Sequence, residues 1–272
     1  VTRPAPGPSR PALGRRRFAA VIALIGTAGL AVAGCGSSPP TAGRTSTTTT
    51  AAPAGTAPGT APAGAGTPLT AAQALTLAQL LYRDYQLGGA RVAVDVPYAT
   101  GVQVLVTGDV DFKHHEGHLR VVTSANGTSE VQRVDYTASV VYEQGGPIVA
   151  KALQGHPGRT WVSRPPDPTG RPIDKIIAVL VALASPQRDN PLLVGQSDVR
   201  FEGRQGRGRT AVDVYRYSAA ITYLVGASDG LLHQFRATIQ GFAGTVSVSL
   251  SGWGPRTLPP PPEGSVLDDP DA

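Results

Sequence analysis

Arg91-Val92-Ala93-Val94-Asp95-Val96 and, a few residues on, Val102-Gln103-Val104-Leu105-Val106 decide how this chain is read. Valine occupies every second position, and the rhythm continues through Val110 and Phe112. Successive side chains of a strand point to opposite faces, so a period of two describes one apolar face and one wet face. The short connection between the runs makes the pair antiparallel. Leu119 and Val121 carry a third strand, weaker ones follow near Val131 and from Val140 to Tyr142, and residues 160–163 form another.

A helix precedes these strands. Thr70 and Gln73 are spaced as a capping box, and Ala74, Leu77, Leu80 and Leu81 recur at helical intervals until Gly88-Gly89. A second helix interrupts the sheet at 172–184, where Ile173, Ile176, Ile177, Leu180, Val181 and Ala184 form one stripe. Pro172 suits its first turn, Asp174 suits the positive end of its dipole, and Pro186 stops it. Strands then resume at 197–202, 210–217, 221–225, 231–240 and 245–251, with Ser228-Asp229-Gly230 as a hairpin turn. The tail 259–272, with four consecutive prolines and then acids, is expected to be exposed and flexible.

The other end of the chain carries an address. Arg15-Arg16-Arg17 leads into an apolar stretch, 18–33, that closes on Val32-Ala33-Gly34-Cys35. A basic start, a short apolar segment and small residues before a cut describe a secretory signal over 1–34. The stretch is short for a bilayer span, which takes roughly 20 residues. Arg15-Arg16 with Phe18 also resembles a twin-arginine export signal. Residues 35–68 form the next unit: Cys35, then a run of Ser, Thr, Pro, Ala and Gly with Arg44 as its one charge. Such a composition cannot bury enough apolar surface to offset ordering entropy, so a disordered tether is expected. The folded domain is expected over 69–258, a normal size for one unit.

The net charge of +5 arises before Cys35, where five arginines meet no acid; beyond it nineteen basic residues balance nineteen acidic ones. That balance lacks the basic footprint of a nucleic-acid binder. Cys35 is the only cysteine, so there is no disulfide and no cysteine-based metal site. His114, His115, Glu116 and His118 are the densest titratable cluster, but their spacing is not His-Glu-x-x-His and Gly117 makes them a hairpin tip. The arginines at 204, 207 and 209, set among glycines, read as a polar hairpin. Asp109 and Asp111 share one side of a strand, expected to be the wet one. Asn126-Gly127-Thr128 reads as a turn. No nucleophile elbow or phosphate loop is present, nothing argues for an enzyme, and no cofactor or metal is expected, with metal binding at the histidine cluster the alternative to a solvated hairpin tip.

Further residues carry a likeness. The lipobox-like Val32-Ala33-Gly34-Cys35 and the low-complexity tether precede the leading helix and strands, and the proline-flanked apolar helix follows. Next come Asn190-Pro191-Leu192-Leu193, the strand Asp198-Val199-Arg200-Phe201-Glu202-Gly203, Ser-Asp-Gly-Leu-Leu at 228–232, and the ending Val246-Ser247-Val248-Ser249-Leu250-Ser251-Gly252-Trp253-Gly254. In this order they resemble the actinobacterial LppX/LprAFG lipoproteins. The resemblance implies diacylation of Cys35 and anchoring to the outer face of the cytoplasmic membrane. It also implies an α+β fold like that of the LolA and LolB carriers, a half-open antiparallel barrel with helices packed on its concave face. The implied function is non-enzymatic: binding and carrying acylated lipids or glycolipids in an apolar cavity. An envelope transporter is a candidate further partner. Val94, Val104, Val106, Leu119, Val121, Ile176, Ile177, Leu180, Val248 and Leu250 are the candidate lining. The alternative is an envelope scaffold or sensor with a filled core that binds a protein partner.

Overall fold

A computed structural model describes residues 66–269. The export signal, Cys35 and the tether up to residue 65 lie outside the described residues. The rest is an α+β arrangement dominated by one curved, mostly antiparallel open sheet of 13 strands.

The strands are β1 (Thr67–Pro68), β2 (Gly89–Ala99), β3 (Val102–Asp111), β4 (Glu116–Ala125), β5 (Thr128–Tyr136), β6 (Val141–Gln144), β7 (Trp161–Arg164), β8 (Arg200–Gln205), β9 (Val212–Ser218), β10 (Ile221–Gly226), β11 (Leu232–Thr238), β12 (Thr245–Ser251) and β13 (Val266–Asp268). Their order across the sheet is 1-8-9-10-11-12-2-3-4-5-6-7-13, and only the β7–β13 pair is parallel. Both outermost strands are three residues or shorter, which limits the unpaired edge available to another chain. Thr67 and Pro68, the last residues assigned to the expected tether, are extended and ordered into the sheet as β1. Thr67 and Pro68 pair with Phe201 and Arg200 because the extended backbone before the first helix reaches the free edge of β8.

The valine alternation does what its period requires. On β2, Ala90, Val92, Val94 and Val96 are buried while Arg91, Ala93 and Asp95 are exposed. On β12, Val246, Val248 and Leu250 are buried. Asn126 and Gly127 both have positive φ, 50° and 76°, and form the two-residue hairpin between β4 and β5 that such residues favour. Gly117 is required by a close approach: the Tyr136 ring lies across it from the opposite strand position.

Among the described residues four helices accompany the sheet: α1 (Ala71–Leu87), α2 (Gly146–Ala152), α3 (Pro172–Ala182) and α4 (Pro191–Gly195). The capping box is made as spaced. Gln73 N donates to Thr70 Oγ1 at 3.3 Å, and Thr70 N donates to Gln73 Oε1 at 2.8 Å. Leu77 and Leu80 of α1 and Ile176, Ile177 and Leu180 of α3 belong to the same apolar core as the inner faces of the strands. No described helix is long and apolar enough to cross a membrane.

The tail departs from expectation. Arg256 Nε donates to Asp109 at 2.9 Å, His118 Nε2 donates to the Pro259 carbonyl at 2.9 Å, and Pro261 is buried. A 3-10 turn (Glu263–Ser265) then leads into β13 beside β7. Residues 259–269 are thus docked on the sheet. Prolines cannot donate to a ladder, but their carbonyls accept and their rings pack, and Val266 and Leu267 supply a strand after them.

Candidate functional site

The inner face of the sheet carries a row of side chains in register across eight strands. It runs Phe201, Tyr215, Tyr223, Phe235, Val248, Val94, Val106, Val121 from β8 to β4. Four consecutive aromatics give way to four aliphatics. Phe201 and Tyr215 have ring centroids 5.5 Å apart, and Tyr223 and Phe235 are 5.3 Å apart edge to face. Directly opposed side chains are the unit of sheet stabilisation, so this ladder stiffens the β8–β11 half.

A groove of about 550 Å³ opens at the aromatic end, between α1 and strands β8 and β9. Ala72, Gln73 and Thr76 form one wall, and Phe201 and Tyr215 form the apolar floor. Arg204 and Asp213 stand at the rim, joined through Nε–Oδ1 at 2.7 Å and an Nη2–Oδ2 bond at 3.1 Å. Burial, helped by the Asp213 charge, pushes the Tyr215 phenol up to about 12, so it remains neutral at physiological pH. The groove is broadly open to solvent, and its apolar lining is confined to Ala72, Phe201 and Tyr215 beside the polar Gln73, Thr76, Arg204 and Asp213. Here the composition suits an amphipathic ligand.

The ten residues expected to line a cavity are placed differently. Val94, Val106, Leu119, Val121, Ile176, Ile177, Leu180, Val248 and Leu250 are buried within the continuous core, and Val104 is half-buried against it. None of them borders the groove. A second hollow of about 340 Å³ lies on the outer face, bordered by Arg91, Thr107, Asp109, Ser249 and Ser251 among others, and none of the ten borders it either. The groove residues lacked a sequence signal because Phe201 and Tyr215 meet only through strand register.

The histidine cluster divides along the β3–β4 hairpin. His114 Nδ1 lies 2.9 Å from Asp111 Oδ2, whereas His118 reaches the tail. Among the described residues no three His, Cys, Asp or Glu side chains converge as metal ligands. Asp111 is only 5% exposed, not on a wet surface as its parity suggests. Its carboxylate folds into the turn and accepts from the backbone N–H groups of Lys113 and His114 at 2.8 and 3.1 Å. Burial raises its pKa, but these bonds and the His114 ring outweigh burial and hold it below the ordinary value.

No protein-family description matches the chain, and no curated protein does. One solved structure, an uncharacterized conserved protein from Thermus thermophilus, aligns at 12% identity with a TM-score of 0.37, covering 74% of this chain and 100% of its own. So distant a likeness carries no functional meaning. What the site can do rests on its own chemistry.

Two acids missed by sequence reading are associated with α1 away from the groove lining: Asp84 on the helix itself and Asp189, whose N–H donates to Ala78 O. Asp84, on the core side of α1, is fully buried; its Oδ1 accepts from Leu232 N at 3.4 Å and its Oδ2 has no partner. Burial raises its pKa well above the usual carboxylate range, against the smaller lowering effect of the Leu232 N–H bond. Asp189 is pushed up to about 6, also by burial.

Proposed function

We propose that this chain is a non-enzymatic envelope lipoprotein, anchored by acylated Cys35 to the outer face of the cytoplasmic membrane, that binds acylated lipids or glycolipids. In this reading the sheet is a half-open barrel whose concave face is covered by α1 and α3. The groove between α1 and β8–β9 is where an acyl chain enters. The observation that carries the reading is that groove: it leads onto the aromatic end of a continuous apolar wall and has a charged pair at its rim. Transfer of an acyl chain onto that wall is favourable by about 0.8 kcal/mol per buried CH₂, so several methylenes outweigh any single polar contact there. Arg204, already oriented by Asp213, is placed to meet an anionic head group.

The packing of the ten core residues favours a second reading. Nine of them are buried beside one another, as expected of an envelope scaffold or sensor that binds a protein partner with its core filled. Native mass spectrometry of the full-length protein extracted in mild detergent separates the two. Co-purifying acyl lipid that is lost in Ala72→Trp, which fills the groove from the exposed side of α1, supports the lipid reading. A reproducible protein partner without lipid, or lipid binding unchanged by Ala72→Trp, overturns the groove as the lipid site.

A further inference from the structure

Three large aliphatic side chains are exposed near the point where the chain enters the domain. Leu192 and Leu193, adjacent on α4, are 72% and 65% exposed, and Leu75 on α1 is 47% exposed. They are held outward by local structure. Asn190 Oδ1 accepts from Leu192 N at 2.9 Å, Pro191 opens the helix, and Val194 faces the core, which leaves the two leucines on the opposite side. The preceding segment is stitched to α1 through Ser185 N to Leu81 O at 3.0 Å and Asp189 N to Ala78 O at 2.9 Å. Gly195 lies against Ala74, one residue from Leu75. Tyr82, two helical turns along α1 from Leu75, carries the Arg188 guanidinium 4.7 Å above its ring. Residues 190–197 contain no charge.

The occupant of this ridge is indicated by the chain outside the described residues. Thirty residues separate Cys35 from Gly66, which lies against Phe201 on β8. Thirty residues reach at most about 100 Å, so an acylated Cys35 keeps the domain close to a bilayer. Leu75 lies nine residues after that junction, and α4 ends five residues before Arg200, the partner of Pro68. The apolar ridge therefore flanks the attachment point. We propose that Leu75, Leu192 and Leu193 form a membrane-docking ridge that inserts into the interface of the bilayer, with Arg188 at the level of the anionic head groups. The inference rests on the anchored reading above and names the surface that reading presents to the membrane. Interfacial binding by a few aliphatic side chains plus a cation is weak alone, but it becomes effective when a tether keeps the local concentration high.

The test uses the full-length acylated protein in vesicles of phosphatidylglycerol and phosphatidylethanolamine, with an environment-sensitive dye on Gln196→Cys. Lipids brominated in their acyl chains should quench this dye at least fivefold more than the same dye on Ser228→Cys, in the β10–β11 turn. Leu192→Asp combined with Leu193→Asp should abolish the difference without changing the thermal melt. An unquenched Gln196 dye on protein whose Cys35 is acylated by mass spectrometry overturns the docking, as does a concentration-dependent dimer that protects the leucines. The chain with Cys35→Ser, mixed with the same vesicles, separates the two ideas. If Cys35 is found unmodified but quenching at Gln196 persists, the anchor fails and the docking surface stands.

Discussion

The Arg164 guanidinium on β7 donates to both carboxylate oxygens of Asp174 in the first turn of α3, at 2.6 and 2.9 Å, with both side chains buried. Glu143 on β6 accepts from Arg164 Nε at 3.0 Å, and Asp167 N donates to Asp174 at 2.5 Å. The cluster fixes where the apolar helix starts over the sheet. Removing the guanidinium leaves a buried carboxylate without its countercharge. Arg164→Ala, which leaves the buried Asp174 carboxylate with the Asp167 N–H but no countercharge, should cost about 3–5 kcal/mol in urea denaturation. A loss below about 1 kcal/mol would mean that water replaces the guanidinium and that α3 is positioned by packing alone.

Asp84 makes stability fall as pH rises. Its folded pKa lies above its unfolded value of about 4, so the native state holds the proton longer than the unfolded chain. The stability from this group is complete below pH 4 and is lost as pH climbs through the folded pKa. Asp189 adds a change of the same sign between about pH 4 and about pH 6. Asp84→Asn should therefore be about 1–3 kcal/mol more stable than wild type near pH 8. The gain should shrink towards pH 4. Denaturant midpoints measured across this range check it, and a gain independent of pH would show that the carboxyl does not titrate in the folded protein.

Strands β2 to β12 and both long helices are legible in the sequence because burial on one face writes directly into residue spacing, whereas the short edge strands β1 and β13 carry no such alternation. Val92, Val94 and Val96 announce β2, and Thr70 with Gln73 announces the start of α1. The aromatic ladder is not legible. Phe201, Tyr215, Tyr223 and Phe235 lie on four strands and become neighbours only through register, which spacing along the chain does not encode. Asp174 shows the same limit: helix-dipole logic accounts for its position, but its principal partner, Arg164, lies ten residues away on a strand. The ten core positions are recognisable as inward-facing. Whether they enclose space is a property of the distance between helix and sheet, and no local pattern records it. Leu180 is fully buried, so Leu180→Trp would overpack the core at a cost of about 1–3 kcal/mol and would not be a clean probe of ligand binding.

Ending the chain at Leu258 should destabilise the domain and expose the edge of β7. The truncation removes the His118 bond to Pro259, the burial of Pro261, and the β13 ladder. It also strips Arg159 of the carbonyls of Glu263 and Val266, which it reaches at 3.1 and 2.7 Å. An uncovered strand edge templates association between chains, so the truncated protein should melt earlier and aggregate with concentration. Light scattering during a thermal ramp measures both effects. An unchanged melt would return the tail to the irregular state its composition suggests.

The capping box at Thr70 also supports one wall of the groove, because Ala72, Gln73 and Thr76 belong to the first two turns that it holds. Thr70→Ala removes the acceptor for Gln73 N and should cost about 1 kcal/mol, as such caps usually do. The consequence should be local. Amide exchange should accelerate at Gln73 and Ala74 while the β2–β3 ladder stays protected, and Thr70→Asn should restore most of the protection, since asparagine accepts at the same position. If the first turn of α1 must loosen for an acyl chain to enter, lipid exchange should be faster in Thr70→Ala than in wild type and near wild type in Thr70→Asn. Equal exchange rates in all three proteins, with the amide effect present, would separate the groove from any route that opens at this end of the helix.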